Sequence, residues 1–264
     1  MMQFMADENP AATIGLIPAA GRATRLGRLP TSKELLPVAF APDLAPGEIP
    51  RVACSYVLEQ FRTSGIDRAF IVLRQGKWDI PGYLEGGSRY GVDLAYLVTD
   101  GTESLVQTLA LATPFTAGAR VALGLPDILL TPTASYKVLA EQLDSTHADV
   151  VLGLYPAEEP ERCDMVRLDE GGWVRRIEIK QPGTRLEYAW INALWRPSFT
   201  RFLVERQTGV TIDCEELHLG HLFQEAVDAG MKVLGVTFPS GWFIDIGTPG
   251  SLWRAVQRFS QAAP

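Results

Sequence analysis

The chain has 264 residues, 47% of them hydrophobic and 21% charged, enough for a substantial core in one large α/β domain or two small ones, and this excludes global disorder. The net charge of −7 argues against a nucleic-acid partner, which selects a basic excess, but leaves room for a small anionic ligand on a local basic cluster. Three widely spaced cysteines, Cys54, Cys163 and Cys214, form neither a disulfide framework nor a CxxC pair, and no secretory pattern or membrane-length apolar run is present, so a reducing, cytoplasmic setting without membrane contact is expected.

The first dozen residues are expected to form a loose tail. "TIGLIPAA" (13–20) then predicts a buried strand, "VACSYVLEQFRTSGI" (52–66) a helix ending near Gly65, and "AFIVLR" (69–74) and "VDLAYLV" (92–98) two more strands. "SLVQTLALA" (104–112) has helical spacing with Ser104 as its cap. A strand at 120–125, a helix at 133–145 and a strand at 148–155 continue the alternation, which implies a mostly parallel sheet covered on both faces. The pattern changes after about residue 156. "DMVRLDEGGWVRRIEI" (164–179) predicts two strands around an Asp-Glu-Gly-Gly turn, and "EYAWINALWR" (187–196) a third. Helices are expected near 197–207 and 215–229, a strand at 232–238, a strand ending within "WFIDIGTP" (242–249), and a closing helix. A Pro- and Ala-rich loop (40–50) interrupts the first crossover.

Chemistry concentrates in "IPAAGRATRLGRLPTSKELLPV" (17–38). A buried strand runs into small residues and then into Arg22, Arg25, Arg28 and Lys33. Such a loop can turn backbone N–H groups toward phosphate oxygens, with Arg25 and Lys33 adding charge-assisted hydrogen bonds. It is neither a Walker A loop nor a G-x-G-x-x-G fingerprint. His218 and His221, three apart and near Cys214, have a spacing that could bind metal, but no partner pair stands out and satisfied helix histidines are the simpler reading. Trp190 and Trp195 read as packing residues, either of which could line a pocket. No G-x-S-x-G elbow is present.

The segment "AAGRATRLGRLPTSKELLPV" resembles the signature of sugar-1-phosphate nucleotidylyltransferases, in particular the glucose-1-phosphate thymidylyltransferase type, through Gly21, Thr24, Arg25, Leu26, Ser32, Lys33, Leu36 and Pro37. The resemblance continues in "LGLPDILL" (Asp127), "IEIKQP" (Lys180), "YAWINALW" (Asn192) and "WFIDIGTP" (Asp245, Gly247, Thr248). It implies a single α/β domain over 1–264 of the nucleotide-diphospho-sugar transferase (GT-A-like Rossmann) type, with a mixed, mostly parallel central sheet and flanking helices. Roughly 156–240 would carry the acceptor sugar, and no hexapeptide β-helix is expected after the last helix. A nucleoside triphosphate and a sugar 1-phosphate are the implied partners, Mg²⁺ the implied cofactor and a homo-oligomer a possible assembly. The implied catalytic residues are Arg25 on the leaving pyrophosphate, Lys33 near the α-phosphorus and Lys180 on the acceptor phosphate. Ala19, Ala20, Gly21, Arg22, Ala23 and Thr24 would wrap the nucleotide; Thr99, Ser104 and Gln107 fall in the segment that reads the base; Glu178 and Asn192 lie toward the sugar; Asp127 and Asp245 would hold Mg²⁺.

The sequence departs from that pattern in places. Ala23 stands where the type has a second glycine, Thr99 where it has the base-reading glutamine, Ser104 where it has a glycine, and Ile179 where it has the Glu preceding the pocket lysine. Two alternatives follow: a degenerate nucleotide-sugar-binding regulator, and a glycosyltransferase, whose usual D-x-D motif is absent after the central strand.

Overall fold

The computed structural model describes residues 12–39, 50–209 and 218–261. The expected tail at 1–11, most of the Pro- and Ala-rich loop and Cys214 lie outside the described residues. In chain order the strands and helices are β1 (Thr13–Ala19), β2 (Pro37–Ala39), β3 (Arg51–Val52), α1 (Ala53–Thr63), β4 (Arg68–Arg74), α2 (Asp79–Leu84), β5 (Asp93–Thr99), α3 (Leu105–Ala110), α4 (Thr113–Thr116), β6 (Arg120–Leu123) and β7 (Ile128–Thr131). They continue as α5 (Ser135–Thr146), β8 (Val150–Pro156), β9 (Asp164–Leu168), β10 (Val174–Ile179), β11 (Tyr188–Trp195), α6 (Pro197–Gly209), α7 (Leu219–Asp228), β12 (Val233–Thr237), β13 (Trp242–Asp245) and α8 (Pro249–Gln261).

β1 lies inside a nine-stranded sheet, parallel to both β4 and β6, with β5 parallel to β4 beyond. On the other side β11 runs antiparallel to β6 and β8, and β12 pairs parallel with β8. The β9–β10 hairpin joins β11 through Ala189, opposite Met165, so the sheet splits at this end. The sheet is therefore mixed and mostly parallel, with helices on both sides, as the alternation of elements implies. The parallel strands are continuous apolar runs because both of their faces are covered. Leu16 and Val72 pack under α3, α6 and α7 with Val106, Phe199 and Phe223; Ile17 and Ile71 pack on the opposite face with Val57, Phe61 and Leu139 of α1 and α5.

The helix at 104–112 forms as α3, and Ser104 caps it by accepting a hydrogen bond from the Gln107 backbone N–H at 3.2 Å. β7 has no periodic signal of its own. It is four residues long and exists because β13, far along the chain, pairs with it antiparallel, placing Asp245 opposite Ile128. A third apolar cluster, with Val38, Tyr56, Leu129 and Ile246, packs beneath α8 and anchors this pair. Among the described residues, no helix is long and apolar enough to cross a membrane.

Candidate active site

The carboxyl ends of β1 and β6 open into a cavity of about 700 Å³, which reaches across to the β9–β10 hairpin and the start of α7. In an open α/β sheet this end of the strands is where ligands sit, because the loops leaving adjacent strands diverge there.

One wall is the loop after β1. Ala20, Gly21, Arg22, Arg25 and Lys33 line the cavity; Ala19 is buried behind them, and Ala23 and Thr24 turn aside. Ala23 adopts φ +55°, so the position does take the left-handed conformation, and an alanine bears its cost. It opens a single 3₁₀ turn, Thr24–Leu26, which carries Arg25. A second such turn, Lys33–Leu35, is fixed from outside. The Asp79 carboxylate at the start of α2 accepts hydrogen bonds from Thr31 Oγ1 (2.8 Å), Ser32 N (2.6 Å) and Ser32 Oγ (2.8 Å). Burial acts to raise its pKa, but these bonds outweigh it and hold Asp79 below the usual carboxylate range. Behind Lys33, Glu34 is 1% exposed and paired with Lys77 at 2.8 Å.

The β7–β13 ladder brings the two separated carboxylates to this wall. Ile246 N donates to Asp127 O at 2.9 Å, and Asp245 closes β13 beside it. Lys33 Nζ forms an ion pair with Asp127 Oδ2, and Arg25 stands 3.7 Å from Asp245 Oδ2. Burial would lower the Lys33 pKa, but the Asp127 charge outweighs it and keeps the ammonium protonated above its ordinary 10.5. Asp245 is raised, by burial first and then by the charge of Asp127. Gly247 donates its N–H to Asp245 Oδ1 at 2.6 Å; an added Cβ there would lie 2.6 Å from the Arg25 guanidinium and 2.7 Å from Asp245 Oδ1, so a larger residue would displace these side chains.

Asp127 and Asp245 offer hard carboxylate donors whose mutual repulsion a divalent cation would relieve, which fits Mg²⁺. No group of three or more His, Cys, Asp or Glu suited to a metal occurs among the described residues, so substrate oxygens and water would have to complete the shell. His218 and His221 belong to no such group either; their rings lie 5.7 Å apart at the start of α7.

The segment from Thr99 to Gln107 lies at the cavity edge. Ser104 lines it with Thr102, Glu103 and Leu105. Thr99 and Gln107 do not: Thr99 Oγ1 turns to Gly101, and Gln107 Oε1 accepts from Glu103 N at 2.8 Å. Arg74, which the sequence did not single out, ties this loop to the first one, donating to Ala20 O (3.0 Å) and Thr102 O (3.3 Å).

On the far wall, Lys180 lines the cavity just past β10, with φ +44°. Two residues expected toward the sugar, Asn192 and Glu178, do not line the cavity. Asn192 is 1% exposed and donates to Ser135 Oγ at 3.0 Å; it points into the core, while Trp190 and Ile191 line the cavity instead. Glu178 is turned away, pairing with Arg167 at 3.2 Å and accepting from Thr184 at 2.7 Å, because adjacent strand residues face opposite sides. Asp164, Arg162 and His218 also line the cavity; no motif marks Asp164 or Arg162, and His218, noted in the sequence only for its spacing to His221, comes here because the hairpin and the start of α7 meet.

Residues 14–262 match the family described as nucleotidyl transferase. A glucose-1-phosphate thymidylyltransferase of Neisseria gonorrhoeae is 26% identical over 245 residues, covering 91% of this chain and 80% of that protein. A Bacillus anthracis protein described as a glucose-1-phosphate thymidylyltransferase, solved with sucrose, superposes with a TM-score of 0.80 at 21% identity, over 94% of this chain and 95% of the other. A UDP-glucose pyrophosphorylase solved with UDP-glucose gives 0.78 at 16% identity, over 95% and 99%. With nearly the whole described chain matched, the protein belongs to the nucleotidyl transferase family.

Proposed function

We propose that the protein transfers a nucleoside monophosphate from a nucleoside triphosphate to a sugar 1-phosphate, giving a nucleoside-diphosphate sugar and pyrophosphate. The observation that carries this reading is the gathering of Arg25, Lys33, Asp127 and Asp245 on one wall of a cavity whose opposite wall presents Lys180. An oxygen of the acceptor phosphate attacks the α-phosphorus, and the bond to the bridging oxygen of pyrophosphate breaks in line with it. Such a reaction needs positioning and charge neutralisation more than a protein nucleophile.

Lys33 spreads the charge around the α-phosphorus, exchanging its Asp127 contact for phosphate oxygen. Arg25 takes the departing pyrophosphate. Lys180 orients the acceptor phosphate, and the backbone of Ala20–Arg22 approaches the triphosphate. Asp127 and Asp245 would hold Mg²⁺, which when bound supplies a Lewis acid for the phosphate oxygens. The β-rich portion, roughly 156–240, carries the acceptor. The test is a matrix of nucleoside triphosphates against sugar 1-phosphates, read by pyrophosphate release with and without chelator. Release that depends on both substrates and stops with chelator is expected; no release from any pair removes the reading.

A further inference from the structure

Asp164 is the first residue of β9 and stands directly opposite Ile179, the last of β10. Directly opposed residues of an antiparallel pair project to the same face, so the carboxylate shares its face with Ile179, one residue before Lys180. The start of α7 closes over it. A Cβ on Gly220 would lie 2.5 Å from Asp164 Oδ2 and 3.3 Å from Ile179 Cδ1, so the missing side chain is what admits the carboxylate. Lys180, His218 and Trp190 line the same part of the cavity.

The polar atoms here are incompletely satisfied. Among the described residues, Asp164 Oδ1 is buried without a hydrogen bond of full geometry, and so is the indole Nε1 of Trp190, a residue only 8% exposed. Burial raises the Asp164 carboxyl above its ordinary range even though His218, Lys180 and Trp190 act to lower it. The indole is near enough to lower the Asp164 carboxyl pKa, yet neither group completes a hydrogen bond of full geometry, and an acceptor and a donor so placed call for a ligand group that answers both. A hydroxyl does so, since it donates one hydrogen bond and accepts others.

We propose that Asp164 determines specificity for the acceptor: with the Trp190 indole N–H it reads a hydroxyl of the sugar ring, the carboxylate accepting from that hydroxyl and the indole donating to it. The proposal rests on the nucleotidyl-transfer reading for the identity of the acceptor. It places the ring against β9 and β11, with its phosphate toward Lys180.

The experiment titrates wild type, Asp164→Asn, Asp164→Ala and Trp190→Phe with the 1-phosphates of glucose, galactose, mannose and N-acetylglucosamine. Orthophosphate and UTP serve as controls, and each protein is melted without ligand. Wild type is expected to bind at least one sugar phosphate. Both Asp164 variants should bind it about tenfold or more weakly, Trp190→Phe several-fold more weakly, and orthophosphate and UTP within twofold of wild type. Asp164→Asn should melt no lower than wild type, because it removes a buried charge. Unchanged sugar-phosphate affinity in both Asp164 variants overturns the proposal. So does a proportional loss of orthophosphate and UTP binding, a lowered melting midpoint in Asp164→Asn, or failure of wild type to bind any of the four. Asp164-dependent binding without pyrophosphate release from any pair would leave the subsite standing and remove the catalytic reading. Pyrophosphate release with an acceptor KM indifferent to Asp164 would do the reverse.

Discussion

Lys33 and Arg25 each face a carboxylate that sits at the end of a strand, so their charges are placed before any substrate arrives. Lys33→Ala and Arg25→Ala should each lower kcat/KM by two to three orders of magnitude, about 3–4 kcal/mol, as measured by pyrophosphate release. Rates within a few-fold of wild type would make both residues ordinary surface cations. Asp245→Asn should cut turnover while leaving the melting midpoint near wild type, because it removes one of two neighbouring like charges. A large fall in melting midpoint would give Asp245 a structural role instead. Ala23 offers a test of sign. Alanine to glycine usually destabilises, but at φ +55° the left-handed strain is relieved, so Ala23→Gly should stabilise by up to about 1 kcal/mol in urea unfolding. A loss of stability would show that the Cβ packs usefully in this turn.

The loop before Lys33 is held by one element, the start of α2, through three hydrogen bonds to Asp79. Asp79→Ala should destabilise by about 1–2 kcal/mol, allowing for its solvent exposure, and should lower kcat through a loosened Lys33 without Asp79 touching substrate. The pH dependence has a definite sign. The folded-state pKa is depressed below 3.8, so the Asp79 contribution is present above that value and is lost as pH falls through the folded-state value. Unfolding midpoints of wild type and Asp79→Ala should therefore converge in acid; a constant difference down to pH 2 would remove the carboxylate from the account. At the other side of the cavity, Ser104 ends the loop that Arg74 ties to Ala20, so the capping of α3 and the shape of the cavity edge are one structural fact.

For the whole molecule, the substrate pair of the proposed reaction would be set by what the cavity edge offers the base. Thr99 carries one hydroxyl where the resembled type carries an amide, and that hydroxyl is engaged with Gly101. Gln107 is occupied with its own loop. A site that lacks a bidentate partner for the base discriminates weakly, so exclusive use of dTTP with glucose 1-phosphate is not expected. Comparison of kcat/KM for dTTP, UTP, CTP, GTP and ATP with several sugar 1-phosphates checks this; a strong preference for dTTP with glucose 1-phosphate alone would defeat the specificity argument and leave the reaction class intact.

The sequence alone determined the alternation of strands and helices, because buried parallel strands are continuous apolar runs and the helices between them carry their own periodicity and, at Ser104, a cap. It also determined the basic loop, since Arg25, Lys33 and their small neighbours are adjacent in the chain. Only the tertiary structure decided how the distant parts meet. Among the described residues β7 pairs only with β13, and that pairing is what sets Asp127 beside Asp245. Asn192 falls within a family-like segment, yet the irregular register around Trp190 and Asn192 in β11 leaves Asn192 in the core and Trp190 on the cavity. Asp164 has no motif at all; it reaches the cavity because a hairpin folds back and Gly220 lets α7 come close. Local chemistry is written in neighbouring residues, whereas a site assembled from strand ends depends on register and close approach, which sequence spacing does not carry.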